Sequence, residues 1–96
     1  METQNLIFEW DEQKRKRNFN VHGIDFTDAI DVITDPNVSI ELDVKKDYGE
    51  ERFNAYGISD GRHIRLCFTW RGENIVCVIS MFRVHEKEWR KHYENN

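Results

Sequence analysis

Seven side chains in this sequence have the types and spacing to act on a phosphate: Lys14, Arg52, Arg65, Thr69, Arg71, Arg83 and His85. Arg65, Thr69 and Arg71 fall on alternate positions of one apolar-polar run, so in a strand they share a face at steps of roughly 6–7 Å. Arg83 and His85 stand two apart at the end of the next run, and Arg52 opens an earlier one. Guanidinium groups grip phosphate oxygens through paired N–H bonds, and a histidine can accept or donate a proton near neutral pH. These are the parts needed for metal-free RNA cleavage: a base for the 2′-hydroxyl, cations for the crowded phosphorane, and an acid for the leaving 5′-oxygen. We therefore take Arg52, Arg65, Arg83 and His85 as candidate catalytic residues, and Lys14, Thr69 and Arg71 as candidate substrate-binding residues. The competing interpretation is a solvated sheet face, where charged side chains are common. Arg71 beside a turn and the run Lys14-Arg15-Lys16-Arg17 fit that description well.

The elements that must hold these residues can be read from periodicity. Leu6, Phe8 and Trp10 alternate with Ile7 and Glu9, which predicts a short first strand. Asp11 is placed to cap a polar surface helix over 12–21 with Phe19 as its main apolar residue, and Gly23 to end it. Asp25 or Thr27 caps a second helix, whose apolar face is Phe26, Ala29, Ile30 and Ile33 and which stops at Pro36. Strands follow over 38–44, 52–58, 62–71 and 75–81. Asp60-Gly61 signals a hairpin between the second and third of these, and the last is apolar enough to be buried on both faces. A closing helix over 86–94 carries Trp89 and Tyr93 on one side. The order β-α-α-β-β-β-β-α predicts an α+β layer fold: one domain over 1–96, with two N-terminal helices on an antiparallel sheet and a C-terminal helix.

Composition narrows the function further. Residues 25–51 carry nine carboxylates against two lysines, a balance of −7, whereas 62–96 carry seven cations against four carboxylates, a balance of +3. The asymmetry suits one face for phosphates and another for a basic partner. No P-loop or dinucleotide fingerprint is present, so no nucleotide cofactor is expected. Cys67, Cys77 and the four histidines have no standard zinc spacing, so no metal is expected and both thiols are read as reduced. The first ten residues lack the basic and apolar regions of a signal peptide, and no run is long enough to cross a membrane. A cytoplasmic protein is expected.

Phe8-Glu9-Trp10-Asp11, Lys14, Asn18, His22-Gly23-Ile24, Phe26 and Ala29 follow one another as F-x-W-D-x-x-K-x-x-x-N-x-x-x-H-G. Asp35-Pro36, Glu51-Arg52-Phe53 with Gly57, and Ile79-Ser80-Met81 come after them. In this order and spacing the segments resemble BrnT-type toxins of the RelE-like ribonuclease toxin superfamily, across essentially the whole chain. The resemblance implies a RelE-like fold and an endoribonuclease of a type II toxin–antitoxin system that cleaves RNA without a metal and so inhibits translation. It also implies a cognate BrnA-like antitoxin. The pair would assemble as a heterotetramer, or the toxin as a homodimer, and would reach operator DNA only through the antitoxin.

One position departs from the family. Where an arginine usually follows I-S-[AM], this chain has Phe82, with Arg83 next and Val84 in place of a small residue. For Arg83 to take over the missing role, the strand must bulge or already have ended, because a shift of one residue reverses the face. Two functions therefore stand: an active ribonuclease toxin, or a catalytically weakened toxin fold that only binds and regulates within a toxin–antitoxin complex.

Overall fold

The computed structural model describes residues 5–93, and in it every expected element is present. Strand β1 (Ile7–Glu9) leads into helix α1 (Glu12–His22). A 3-10 turn (Phe26–Asp28) continues as α2 (Ala29–Ile33). Strands β2 (Ser39–Asp43), β3 (Arg52–Ser59), β4 (Arg62–Arg71) and β5 (Ile75–Arg83) precede α3 (Glu86–His92). The sequence reading carried the last helix to Glu94, which lies outside the described residues. The strands form one sheet in the order β1-β5-β4-β3-β2. All neighbours are antiparallel except β1, which joins β5 in parallel and makes the sheet mixed at that edge. No helix among the described residues is long and apolar enough to cross a membrane.

Local chemistry sets the element ends. Asp11 accepts hydrogen bonds from the N–H groups of Gln13 and Lys14, and Asp25 accepts one from Thr27, so the cap of the second helical segment is Asp25. Gly23 closes α1 at φ 73° and donates its N–H to Phe19. Asp60 (φ 51°) and Gly61 (φ 71°) form the two-residue turn between β3 and β4.

One face of the sheet carries the main core. Ala55, Ile64, Leu66, Phe68, Val76, Val78 and Met81 meet Ile24, Phe26, Ala29, Val32 and Ile33 there. The second helix thus buries Val32, whereas Ile30 is exposed, contrary to the face read from sequence. Ala29, Val32 and Ile33 are the set at i, i+3 and i+4 once the helix proper starts at Ala29. Strand β3 comes close beneath it: a Cβ on Gly57 would lie 2.7 Å from the Val32 carbonyl oxygen. Strand β5 is not buried on both faces. Val76, Val78 and Met81 are buried, while Ile75, Cys77, Ile79 and Ser80 are half-open.

Helix α1 is held by a polar residue. Phe19 is exposed, and the buried residue is Asn18. Its Nδ2 donates to the carbonyls of Ile24 (3.1 Å) and Met81 (2.8 Å), and the Met81 N–H donates to Asn18 Oδ1 (3.1 Å). The carboxamide thus pairs with the β5 main chain beyond the stretch that β1 covers, as a neighbouring strand would. Asn18→Ala strands the Met81 N–H and carbonyl, and we expect a loss of about 2–3 kcal/mol, measured by denaturant unfolding. A change below about 0.5 kcal/mol, the usual range for surface substitutions, would mean that water replaces the amide fully.

Helix α3 packs on the opposite face and covers one end of it. Tyr56, Val84, Trp89 and Tyr93 form a second, smaller core there. Trp89 and Tyr93 do share one side, with ring centroids 4.1 Å apart, and Trp89 also stacks on His63 at 4.5 Å.

Candidate active site on the open face of the sheet

Cross-strand pairs share a face, so the strand register arranges the side chains of the partly covered face in rows. One row runs Ser39–Tyr56–Arg65–Phe82 across β2, β3, β4 and β5. The next runs Glu41–Asn54–Cys67–Ser80. Beyond it, Asp43 pairs with Arg52, and Thr69 with Cys77. A bulge sets the last part of this pattern. Cys67 pairs with Ser80 but Phe68 with Val78, which leaves Ile79 as the extra residue in β5.

Four of the seven candidates line one cleft of about 430 Å³. Lys14, Arg52, Thr69 and Arg71 meet there with Glu9, Glu50 and Cys77. Arg52 is braced by Glu50 at 3.2 Å and by the Tyr48 ring, whose centroid lies 4.1 Å from the guanidinium carbon. Arg71 is exposed and reaches Glu9 at 3.4 Å, and the Cys77 thiol beside it raises its pKa. Thr69 is buried and donates its hydroxyl proton to the Glu51 carbonyl at 2.7 Å, so it fastens β4 to the start of β3 and keeps no proton for a substrate.

Arg65 lies on the same face, in the row that meets α3 through Tyr56. Its guanidinium sits 5.2 Å from the centroid of the Phe82 ring, and its Nε is buried without a hydrogen-bond partner. No carboxylate neutralises it among the described residues. Cys67 feels the positive charge of both Arg52 and Arg65, but burial dominates and pushes the thiol up, keeping it protonated. Burial likewise raises the Tyr56 phenol, against the pull of Arg65.

Arg83 and His85 are not brought to this cluster. The strand runs on to Arg83 with no bulge after Ile79, so Arg83 pairs with Ile64 and belongs to the opposite face. The condition for Arg83 to replace an arginine at position 82 is therefore unmet. His85 is exposed at the N-cap of α3, where its side chain makes no capping bond.

Three groups on the open face were not singled out in the sequence. Asn54 is 7% exposed, and its Oδ1 is buried without a partner. Glu41 is hydrogen-bonded to His92 Nδ1, and the His92 ring lies flat on Tyr56 with centroids 4.1 Å apart. His22 meets Phe82 at 5.5 Å, at the rim nearest α1. His22 was legible only as part of a motif. Asn54 had a readable signal, a polar residue between Phe53 and Ala55. The Glu41–His92 pair spans 51 residues and had none.

The acidic stretch is less available to a basic partner than its charge suggests. Asp25 holds Arg15 at 2.9 Å, which keeps its carboxyl at about 2. Asp28 binds Arg62, Asp31 accepts from Ser59, and Asp35 accepts from the Ile58 N–H and the Tyr93 hydroxyl. Much of that charge pins the second helical segment and the loop after it to β3 and β4, and the end of α3 to that loop.

A layered α+β domain with arginines on the helix-poor face of its sheet is the class that the geometry defines, and comparison with known proteins makes it specific. The sequence model of the family described as ribonuclease toxin, BrnT, of type II toxin–antitoxin system matches residues 10–88, and the chain belongs to this family. It is similar to the Brucella abortus ribonuclease toxin BrnT, known from a 1.1 Å crystal structure, with 28% identity and a TM-score of 0.63. The match covers 84% of this chain and 99% of that one. A search of curated proteins found no match. Membership in a type II toxin–antitoxin system implies an antitoxin partner.

Proposed function

We infer that this chain is an endoribonuclease toxin that cleaves RNA on the open face of its sheet without a metal ion, and that a cognate antitoxin neutralises it. The observation that carries this reading is Arg65: a guanidinium without a carboxylate partner, one row from Cys67, with Arg52 on the other side of that thiol. Two cations so placed can grip the scissile phosphate and take up the charge that develops on its oxygens. The carboxylates around the face already have partners in the chain: Glu9 with Arg71, Glu50 with Arg52, Glu41 with His92, and Asp43 with the Lys45 N–H. Arg65 is thus left without a carboxylate among the described residues, whereas Arg52 and Arg71 must exchange Glu50 and Glu9 for a phosphate. Arg71 and Lys14 in the adjoining cleft extend the binding track along the RNA backbone. The partner is a BrnA-like antitoxin that carries the operator-binding domain, the pair forms a heterotetramer, and both act in the cytoplasm.

The test is cleavage of single-stranded RNA by the purified chain in excess EDTA. Cleavage is expected to persist at the untreated rate. Loss with EDTA and recovery with magnesium would establish metal-assisted hydrolysis instead. Phe82 supports a second reading, a weakened toxin acting only within the complex, because an apolar ring occupies a position that faces the site. Absence of cleavage, with antitoxin binding intact, would establish that reading.

A further inference from the structure

We propose that the Glu41–His92 pair is the proton-accepting end of the active site, with His92 as the general base for the 2′-hydroxyl. The inference rests on the ribonuclease reading above and names a group outside the family match, which ends at residue 88. Glu41 heads the row Glu41–Asn54–Cys67–Ser80, so its backbone lies two strand spacings, roughly 10 Å, from that of Cys67, whose thiol feels both arginines. His92 has the features of an oriented base. Its Nδ1 is tied to Glu41, its ring is held flat on Tyr56, and Nε2 has no partner among the described residues. A carboxylate at one ring nitrogen fixes the tautomer and leaves the other to take a proton.

Between this pair and the arginines lies the buried, unmet Oδ1 of Asn54. Stranding such an acceptor is costly, and a small shift of the Asn54 side chain on binding would let a ribose hydroxyl supply the missing donor. With the phosphate between Arg52 and Arg65, the sugar on its 3′-oxygen falls toward Asn54 and His92. In the step that follows, the 2′-O–H bond breaks and its proton passes to His92 Nε2. The 2′-oxygen bonds to phosphorus, the P–O5′ bond breaks, and the leaving oxygen takes a proton from water. The products are a 2′,3′-cyclic phosphate and a 5′-hydroxyl.

The experiment measures cleavage of a short RNA by wild type and by His92→Phe, which keeps a ring on Tyr56 but has no nitrogen, and by His92→Ala. Both variants are expected to lose about 100-fold or more, and added imidazole to restore part of the His92→Ala rate. Glu41→Gln, removing a positioning residue, is expected to cost about tenfold alone and nothing further on top of His92→Phe, because groups acting as one unit are not additive. A folded His92→Phe variant within threefold of wild type would overturn the inference and leave the ribonuclease reading standing, and loss of cleavage in His85→Ala alone would move the base there. A wild-type chain that cleaves no RNA would overturn both.

Discussion

Arg65→Ala is expected to lower RNA cleavage by about 100–1000-fold while leaving the melting temperature within a few degrees of wild type. The size of the effect follows from where Arg65 stands. Its Nε is buried without a hydrogen-bond partner, its guanidinium lies over the Phe82 ring, and no carboxylate among the described residues forms an ion pair with it. A charge-assisted bond to an oxyanion in such a site strengthens as negative charge builds toward the transition state, so the loss falls mainly on kcat. The modest stability change follows from the same facts. Truncation removes a stacked guanidinium from a half-open face and strands no partner, unlike the loss of Asn18. Cleavage kinetics and thermal melting measured in parallel check the prediction. A wild-type rate in a folded Arg65→Ala protein would remove Arg65 from the site.

Arg65 was readable in the sequence for a simple reason. The run from Arg62 to Arg71 alternates almost without interruption, so the side of the sheet that each residue faces could be deduced. The Asp60-Gly61 turn and the Asp11 cap were readable, and the second cap was narrowed to Asp25 or Thr27, because the chemistry is local to a few residues. What was not readable depends on partners far along the chain. Asn18 looked like one more polar position on a surface helix, and its role appears only when β5, 63 residues away, presents an open edge. Ile30 and Val32 exchanged places because a 3-10 turn shifted the start of the helix. From the sequence Arg83 lies just past the last strand, where it could join Arg65, but β5 runs on through it. The register separates them: Arg65 pairs with Phe82 and Arg83 with Ile64, on opposite faces. His85 was favoured for its nearness in sequence to Arg83, whereas His92 reaches the open face through the packing of α3 on Tyr56.

Phe82→Arg is expected to give a soluble, folded protein with RNA cleavage raised about tenfold or more, and with greater toxicity to a host cell. Had Phe82 filled the main core, a buried, unpaired arginine would have cost several kcal/mol, a large share of the stability of a chain this small. It does not lie there. The Cα partner of Phe82 is Arg65, its ring meets His22 at the rim, and it is only partly buried, so a long cationic side chain can reach solvent or a phosphate. The cost is repulsion between neighbouring guanidinium groups, about 1 kcal/mol at 4 Å in water and about 4 kcal/mol in a surface site. A bound phosphate reverses its sign. The gain is a second charge-assisted contact, worth about 1.5–3 kcal/mol, which sets the expected tenfold or greater rise. The same pairing explains how activity can survive without an arginine at position 82. Directly opposed side chains occupy neighbouring positions on the face, so Arg65 can offer from β4 the cation that an arginine at position 82 would offer from β5. The exchange Arg65→Phe with Phe82→Arg tests this directly. It restores the usual family position and keeps one guanidinium and one ring in the pair, so cleavage is expected within about tenfold of wild type, far above Arg65→Ala. An unfolded Phe82→Arg protein would make Phe82 structural, and an exchange variant as inactive as Arg65→Ala would show that the two positions are not equivalent.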